Sequence, residues 1–118
     1  MIRLNNDVRL NKAFIETIDI DDNEMYIRTS NVTIRITAER DYSDSDMKRV
    51  RSNNDDAYVS KVFNRMWEHQ LAMAYTYFHD WSDRICNGSN IDTNVSKEYK
   101  DVDVNHTVSF RVVVSRTS

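Results

Sequence analysis

Proline is absent from the sequence, and glycine and cysteine occur once each. Each scarcity removes a class of mechanism. Without proline there are no PxxP ligands and no proline-rich linkers. A single glycine leaves no material for a Gly-rich phosphate loop, a dinucleotide fingerprint or a G-x-S-x-G nucleophile elbow. One cysteine forms no intramolecular disulfide and no Cys-rich zinc site. Leucine is scarce as well, with only Leu4, Leu10 and Leu71. No run approaches the roughly 18 apolar residues that span a bilayer. The first residues, Met1 to Asp7, carry no apolar signal core. These features predict a protein that is neither secreted nor transmembrane, held in the cytoplasm of its host or in a virion assembled there.

What remains is 118 residues, 40% hydrophobic and 30% charged, with a net charge of −3. That describes one globular domain, 1–118. Six Tyr, four Phe and two Trp supply the core area that leucine does not. Charge of both signs is spread along the chain, which gives no long-range attraction for nucleic acid or an anionic membrane. The sequons at Asn31, Asn87, Asn94 and Asn105 follow from a composition rich in Asn, Ser and Thr.

Residues 1–12 have weak periodicity and read as an N-terminal arm. Phe14 to Ile20 reads as a strand, followed by an acidic loop carrying Asp19, Asp21, Asp22 and Glu24. Met25 to Arg28 is strand-like, Ser30-Asn31 can turn, and Val32 to Glu39 alternates; together they predict a hairpin, with a bulged single strand as the alternative. Arg40 to Asp56 is polar, with a short helical turn around Met47–Arg51. The strongest signal follows. Apolar residues from Val59 to Ile85 recur on one helical face, acids and asparagines precede them, and Asn87-Gly88 follows, which predicts a helix over 57–87. Val102, Val104, His106, Val108, Phe110, Val112 and Val114 then share one parity, predicting a C-terminal strand over 101–116; a hairpin at Asn105-His106 is the alternative, though a two-residue turn has no reason to preserve parity. The expected fold is α+β: a small antiparallel sheet of about four strands, order β-β-β-α-β, with one long amphipathic helix across one face.

The predicted lengths set a problem. A compact globule of this size has a radius of gyration near 13 Å. The helix and the strand, each about 45 Å long, would overhang it. An overhanging strand exposes unpaired backbone groups, and the usual devices against edge pairing, proline and charge, are missing or sparse here.

Candidate chemistry is thin. His79, Asp83 and Cys86 share a helical face, but the helix C-terminus disfavours a thiolate, so Cys86 reads as the apolar end of the core stripe. Glu68-His69 lacks the second histidine of a zinc-binding helix, and His69 and His79 are ten residues apart. His106, on the apolar parity of the last strand, reads as a core-edge histidine, or as a titrating group at a subunit interface. The acidic loop lacks the glycine and glutamate of an EF-hand. The basic residues Arg40, Lys48, Arg49 and Arg51 are interleaved with Asp41, Asp44, Asp46 and Asp55, which disfavours nucleic-acid contact. The aromatics Phe63, Trp67, Tyr77, Phe78 and Trp81 fall on the core stripe, while Tyr58 and Tyr75 lie off it.

No catalytic, cofactor or metal constellation emerges. The sequence therefore predicts a non-enzymatic interaction subunit, structural in a homo-oligomeric viral or phage assembly such as a ring, connector or tail-type protein. Its partners would be copies of itself and neighbouring assembly proteins. The interface candidates are Val108, Phe110, Arg111, Val113, Arg35, Thr37 and Tyr75. The alternative is a small phage inhibitor that binds a host defence protein or nuclease through acidic loops at Asp19–Glu24 and Asp41–Asp46.

Overall fold

The computed structural model describes residues 1–116; Thr117 and Ser118, the end of the expected domain, lie outside the described residues. In chain order the elements are β1 (Ile2–Arg3), β2 (Arg9–Leu10), a single 3-10 turn (Lys12–Phe14), β3 (Ile15–Asp21), β4 (Glu24–Thr29), β5 (Val32–Tyr42), α1 (Asp44–Asn53), α2 (Asp56–Cys86), β6 (Ser96–Tyr99) and β7 (His106–Arg116). The architecture is α+β. An antiparallel sheet in the order β3-β4-β5-β7-β6 carries α2 across one face, and β1 and β2 form a second, two-stranded ribbon.

Helix α2 begins and ends where its sequence says it should. Asp55 caps it by accepting from the Tyr58 backbone N–H at 2.9 Å, which places a carboxylate at the positive end of the helix dipole. At the other end Gly88 has φ +76°. The Gly88 N–H donates to the Ile85 carbonyl at 3.0 Å and the Ser89 N–H to the Arg84 carbonyl at 2.8 Å. This is a Schellman closure, and it uses the lone glycine where a left-handed residue is required.

Between these caps Met73, Ala74, Phe78, Trp81 and Ile85 are buried against the sheet. The sheet answers with Met25 and Ile27 of β4, Ile34, Ile36 and Ala38 of β5, and Val108 of β7. These positions share one face by the period-two geometry of paired strands, with Ile27 opposite Ile34 and Ala38 opposite Phe110. A second cluster joins Met47 and Val50 of α1 to Val62 and Met66 of α2 and to Val104.

Five expectations change. Residues 1–12 are not an arm: Ile2, Leu4 and Leu10 are buried in the core, and β1 is tied to the segment after α2 by Ile91 N–H to Arg3 O (2.9 Å) and Thr93 N–H to Leu4 O (3.1 Å). The short helical turn is the ten-residue α1, started by Ser43, whose hydroxyl accepts from the Asp46 N–H. The last strand starts at His106 rather than 101; Val102 is 92% exposed in the loop that turns β6 into β7, and β6 is a fifth strand. The acidic loop is a tight turn at Asp22-Asn23, with Asp22 at φ +44°, while Asp19, Asp21 and Glu24 lie in the strands it joins. Finally, the body is elongated, 54 × 27 × 21 Å with a radius of gyration of 17.0 Å. Helix α2 therefore lies along the molecule instead of overhanging a sphere.

Candidate functional site

Edge protection differs between the two sides of the sheet. Strand β3 pairs only with β4, so its other edge is open among the described residues. It is guarded in the usual ways: a bulge between Ile15 and Thr17, and the charges Glu16, Asp19 and Asp21. Strand β7 pairs with β5 along its whole length, from His106 opposite Tyr42 to Arg116 opposite Val32. On its other side β6 covers only His106–Ser109. From Phe110 to Arg116 that edge has no partner strand among the described residues.

The local cause is the N-terminal ribbon. The two bonds from Ile91 to Arg3 in β1 and from Thr93 to Leu4 just after it hold the chain away from β7 before β6 begins. A cleft of about 250 Å³ results, lined by Asn5, Asn6, Asp7, Thr93, Asn94, Phe110 and Val112. The free stretch has the sequence Phe-Arg-Val-Val-Val-Ser-Arg, with no acid and no proline.

The interface candidates divide accordingly. Val108 is fully buried, and Phe110 packs its ring against Tyr77, Phe78 and Trp81, with centroids 4.8–5.6 Å apart. Both serve the core. Arg111 and Val113 lie on the sheet face away from α2, opposite Thr37 and Arg35 of β5 respectively, so these four candidates form one patch. Within it Arg111 pairs with Glu39 at 2.8 Å. Tyr75 is elsewhere, exposed on α2, with its ring tilted against that of His79 at a centroid distance of 4.3 Å. It lines a groove of about 440 Å³ with Ile20, Asp22, Leu71, Ala72 and His79.

Cys86 is exposed at the helix end rather than part of the core, and Trp67 is 40% exposed rather than buried. His79 packs its ring at a tilt against Tyr75, whereas Asp80 pairs with Arg84. Asp19 pairs with Arg28 at 3.6 Å, and Glu24 accepts from the Tyr26 hydroxyl. Among the described residues no group of three or more His, Cys, Asp or Glu side chains could hold a metal ion, and no helix is long and apolar enough to cross a membrane.

Two clusters were invisible in the sequence because each unites separate elements. Arg65 of α2 forms a fork with Asp101, at 2.9 and 3.0 Å, and reaches Asp103 at 2.7 Å. Tyr58 also donates to Asp103, at 2.7 Å. Together they pin the β6–β7 loop to the helix. Burial opposes ionisation of Asp101, but the Arg65 fork prevails and holds its carboxyl below the ordinary value of 3.8.

Beside this, His69 of α2 and His106 of β7 share a hydrogen bond between Nδ1 and Nε2 at 3.3 Å, and Tyr99 of β6 stacks on both rings. His106 is buried with its Nδ1 unpartnered. Burial first, and the neighbouring His69 second, push its pKa below 6.5. The unfolded chain therefore takes up this proton before the native state does, so stability rises with pH through that window. Acidification from pH 7 to 5 is expected to lower the thermal midpoint, and His106→Gln to flatten that dependence. Circular dichroism melts at both pH values check it; an unchanged slope in the variant would place the titrating group elsewhere.

Comparisons of the chain with protein-family models, with curated proteins and with solved structures each found no match.

Proposed function

We propose that this protein is a non-enzymatic interaction subunit that assembles with copies of itself, as a structural component of a ring-, connector- or tail-type viral or phage particle. One observation carries the reading. Seven residues of β7, Phe110 to Arg116, present an acid-free strand edge that has no partner strand among the described residues. A row of free backbone N–H and C=O groups on such an edge is a template for another strand, and monomeric proteins normally blunt it.

The inhibitor reading draws less from the geometry. Of its first acidic group Asp19 and Asp21 lie in β3, Asp22 in the turn and Glu24 in β4, with Asp19 paired to Arg28 and Glu24 accepting from Tyr26; of its second, Asp41 lies in β5, and Asp46 in α1 is paired to Arg49. Multi-angle light scattering over a concentration series tests the assembly. A mass that climbs above the 14.0 kDa of one chain supports it. A mass fixed at one chain up to millimolar concentration contradicts it.

A further inference from the structure

The geometry points to a specific contact between copies: the free edge of β7 in one copy adds to the open edge of β3 in the next, continuing the sheet head to tail. The inference rests on the assembly reading above and names its surface. Among the described residues, these two stretches lie on opposite sides of the same five-stranded sheet: β3 at one margin, and at the other the part of β7 that β6 leaves uncovered. All neighbouring strands in that sheet are antiparallel, so β3 runs opposite to β7. A second copy moved sideways without being turned over thus brings its β3 against β7 in antiparallel fashion, with the helix-bearing faces on the same side.

The side chains match in that arrangement. With Asp21 opposite Arg111, the following pairs are Ile20 with Val112, Asp19 with Val113, Ile18 with Val114 and Thr17 with Ser115, ending with Glu16 alongside Arg116. Each acid-to-arginine pair joins opposite charges, and the hydroxyl side chains meet. Ile18, Ile20, Val112 and Val114 all fall on the face that carries α2. Val114 is 49% exposed in the single copy and Ile18 and Ile20 are half-buried, so this row still has apolar area to cover. Beside Ile20, the groove lined by Leu71, Ala72 and Tyr75 gives the incoming valines further apolar surface.

The alternatives match less well. Pairing β3 with β3 sets the acids Glu16, Asp19 and Asp21 against one another, and pairing β7 with β7 leaves Arg111 and Arg116 without an acid from the partner strand. The cleft at Asn5, Asn6, Thr93 and Asn94 gives the Asp22-Asn23 turn of the incoming hairpin room at the end of the new pairing. Such a contact is heterologous. It closes into a ring if the rotation between copies permits and otherwise propagates as a filament.

The test is a charge reversal and its rescue. Arg111→Asp is expected to raise the concentration for half-assembly about tenfold, while circular dichroism shows the fold retained. Adding Asp21→Arg in the same chain is expected to restore it. A second measurement uses a Cys86→Ser background with Thr17→Cys and Ser115→Cys introduced separately. Under mild oxidation an equimolar mixture of the two variants should give a covalent dimer that neither gives alone. If wild-type chains assemble but Arg111→Asp is silent, or the double variant stays impaired, the proposed contact is wrong and the assembly reading survives. A covalent dimer of Ser115→Cys alone would show symmetric β7 pairing, one of Thr17→Cys alone symmetric β3 pairing, and no covalent dimer from the mixture would likewise overturn the contact. Wild-type chains that never assemble would overturn both.

Discussion

Replacing Phe78 by alanine is expected to destabilise the fold by about 3–5 kcal/mol, the range for removing a buried phenylalanine. The side chain is fully buried where α2 crosses the sheet, and its ring lies 5.5 Å from Phe110 and 6.0 Å from Trp81. Little around it can close the gap. Its neighbours are held by paired strands on one side and by the helix on the other, so the cost includes a cavity as well as lost transfer energy. Against a total stability of about 5–15 kcal/mol the variant is marginal. Its thermal midpoint should fall by roughly 15–30 °C, judged from the usual few degrees per kcal/mol in a domain of this size. Phe14→Ala is the control: that ring is 61% exposed, and its loss should change stability by about 0.5 kcal/mol or less. Similar midpoints for the two variants would mean that α2 is not packed as described.

The second large effect concerns the polar pin. Arg65→Ala is expected to cost about 2 kcal/mol, because it leaves the Asp101 carboxylate, 8% exposed, without its forked partner. The figure is below the upper range for a buried pair because the Arg65 side chain is itself 37% exposed and screened by solvent. Its pH dependence identifies the cause. A carboxyl whose folded pKa lies below its unfolded value stabilises the native state above that unfolded value, and the contribution disappears as the pH falls through the folded pKa. The gap between wild type and Arg65→Ala should accordingly be full at pH 7 and shrink below about pH 3.8. Urea unfolding at pH 7 and pH 3 measures it. A gap independent of pH would assign the loss to packing of the arginine stem instead.

The long helix was legible because its signals are local: Asp55 ahead of it, the apolar stripe within it, and Gly88 behind it. The hairpin at Ser30-Asn31 and the parity of β7 were legible for the same reason. Strand β6 was not. Its four residues, Ser-Lys-Glu-Tyr, carry no apolar alternation, and it exists because β7 offers an edge there. The ribbon of β1 and β2 has no sequence signal because two-residue strands have no period; its role shows only in the burial of Ile2, Leu4 and Leu10. The start of β7 is hidden in the sequence because Val102 and Val104 continue its parity by coincidence, one exposed in the loop and the other buried in the cluster with Met47 and Val50 of α1.

The candidate site shows the same division. The absence of proline and acid from Phe110–Arg116 can be read directly from the chain. That this segment loses its second neighbour cannot, because the cause lies in bonds from Ile91 and Thr93 to residues near the N-terminus. The pairing of His69 with His106 and of Arg65 with Asp101 spans 37 and 36 residues, and nothing in either local sequence announces it.

Hydrogen exchange at two protein concentrations tests the central claim most directly. In dilute solution the amides of Phe110–Arg116 that point away from β5 should exchange quickly, since no strand among the described residues bonds to them. At high concentration the account predicts that this set becomes protected, while the amides of β4, already inside the sheet, do not change. Exchange in Phe110–Arg116 that is equally fast at both concentrations, in a sample shown by scattering to be assembled, would contradict it.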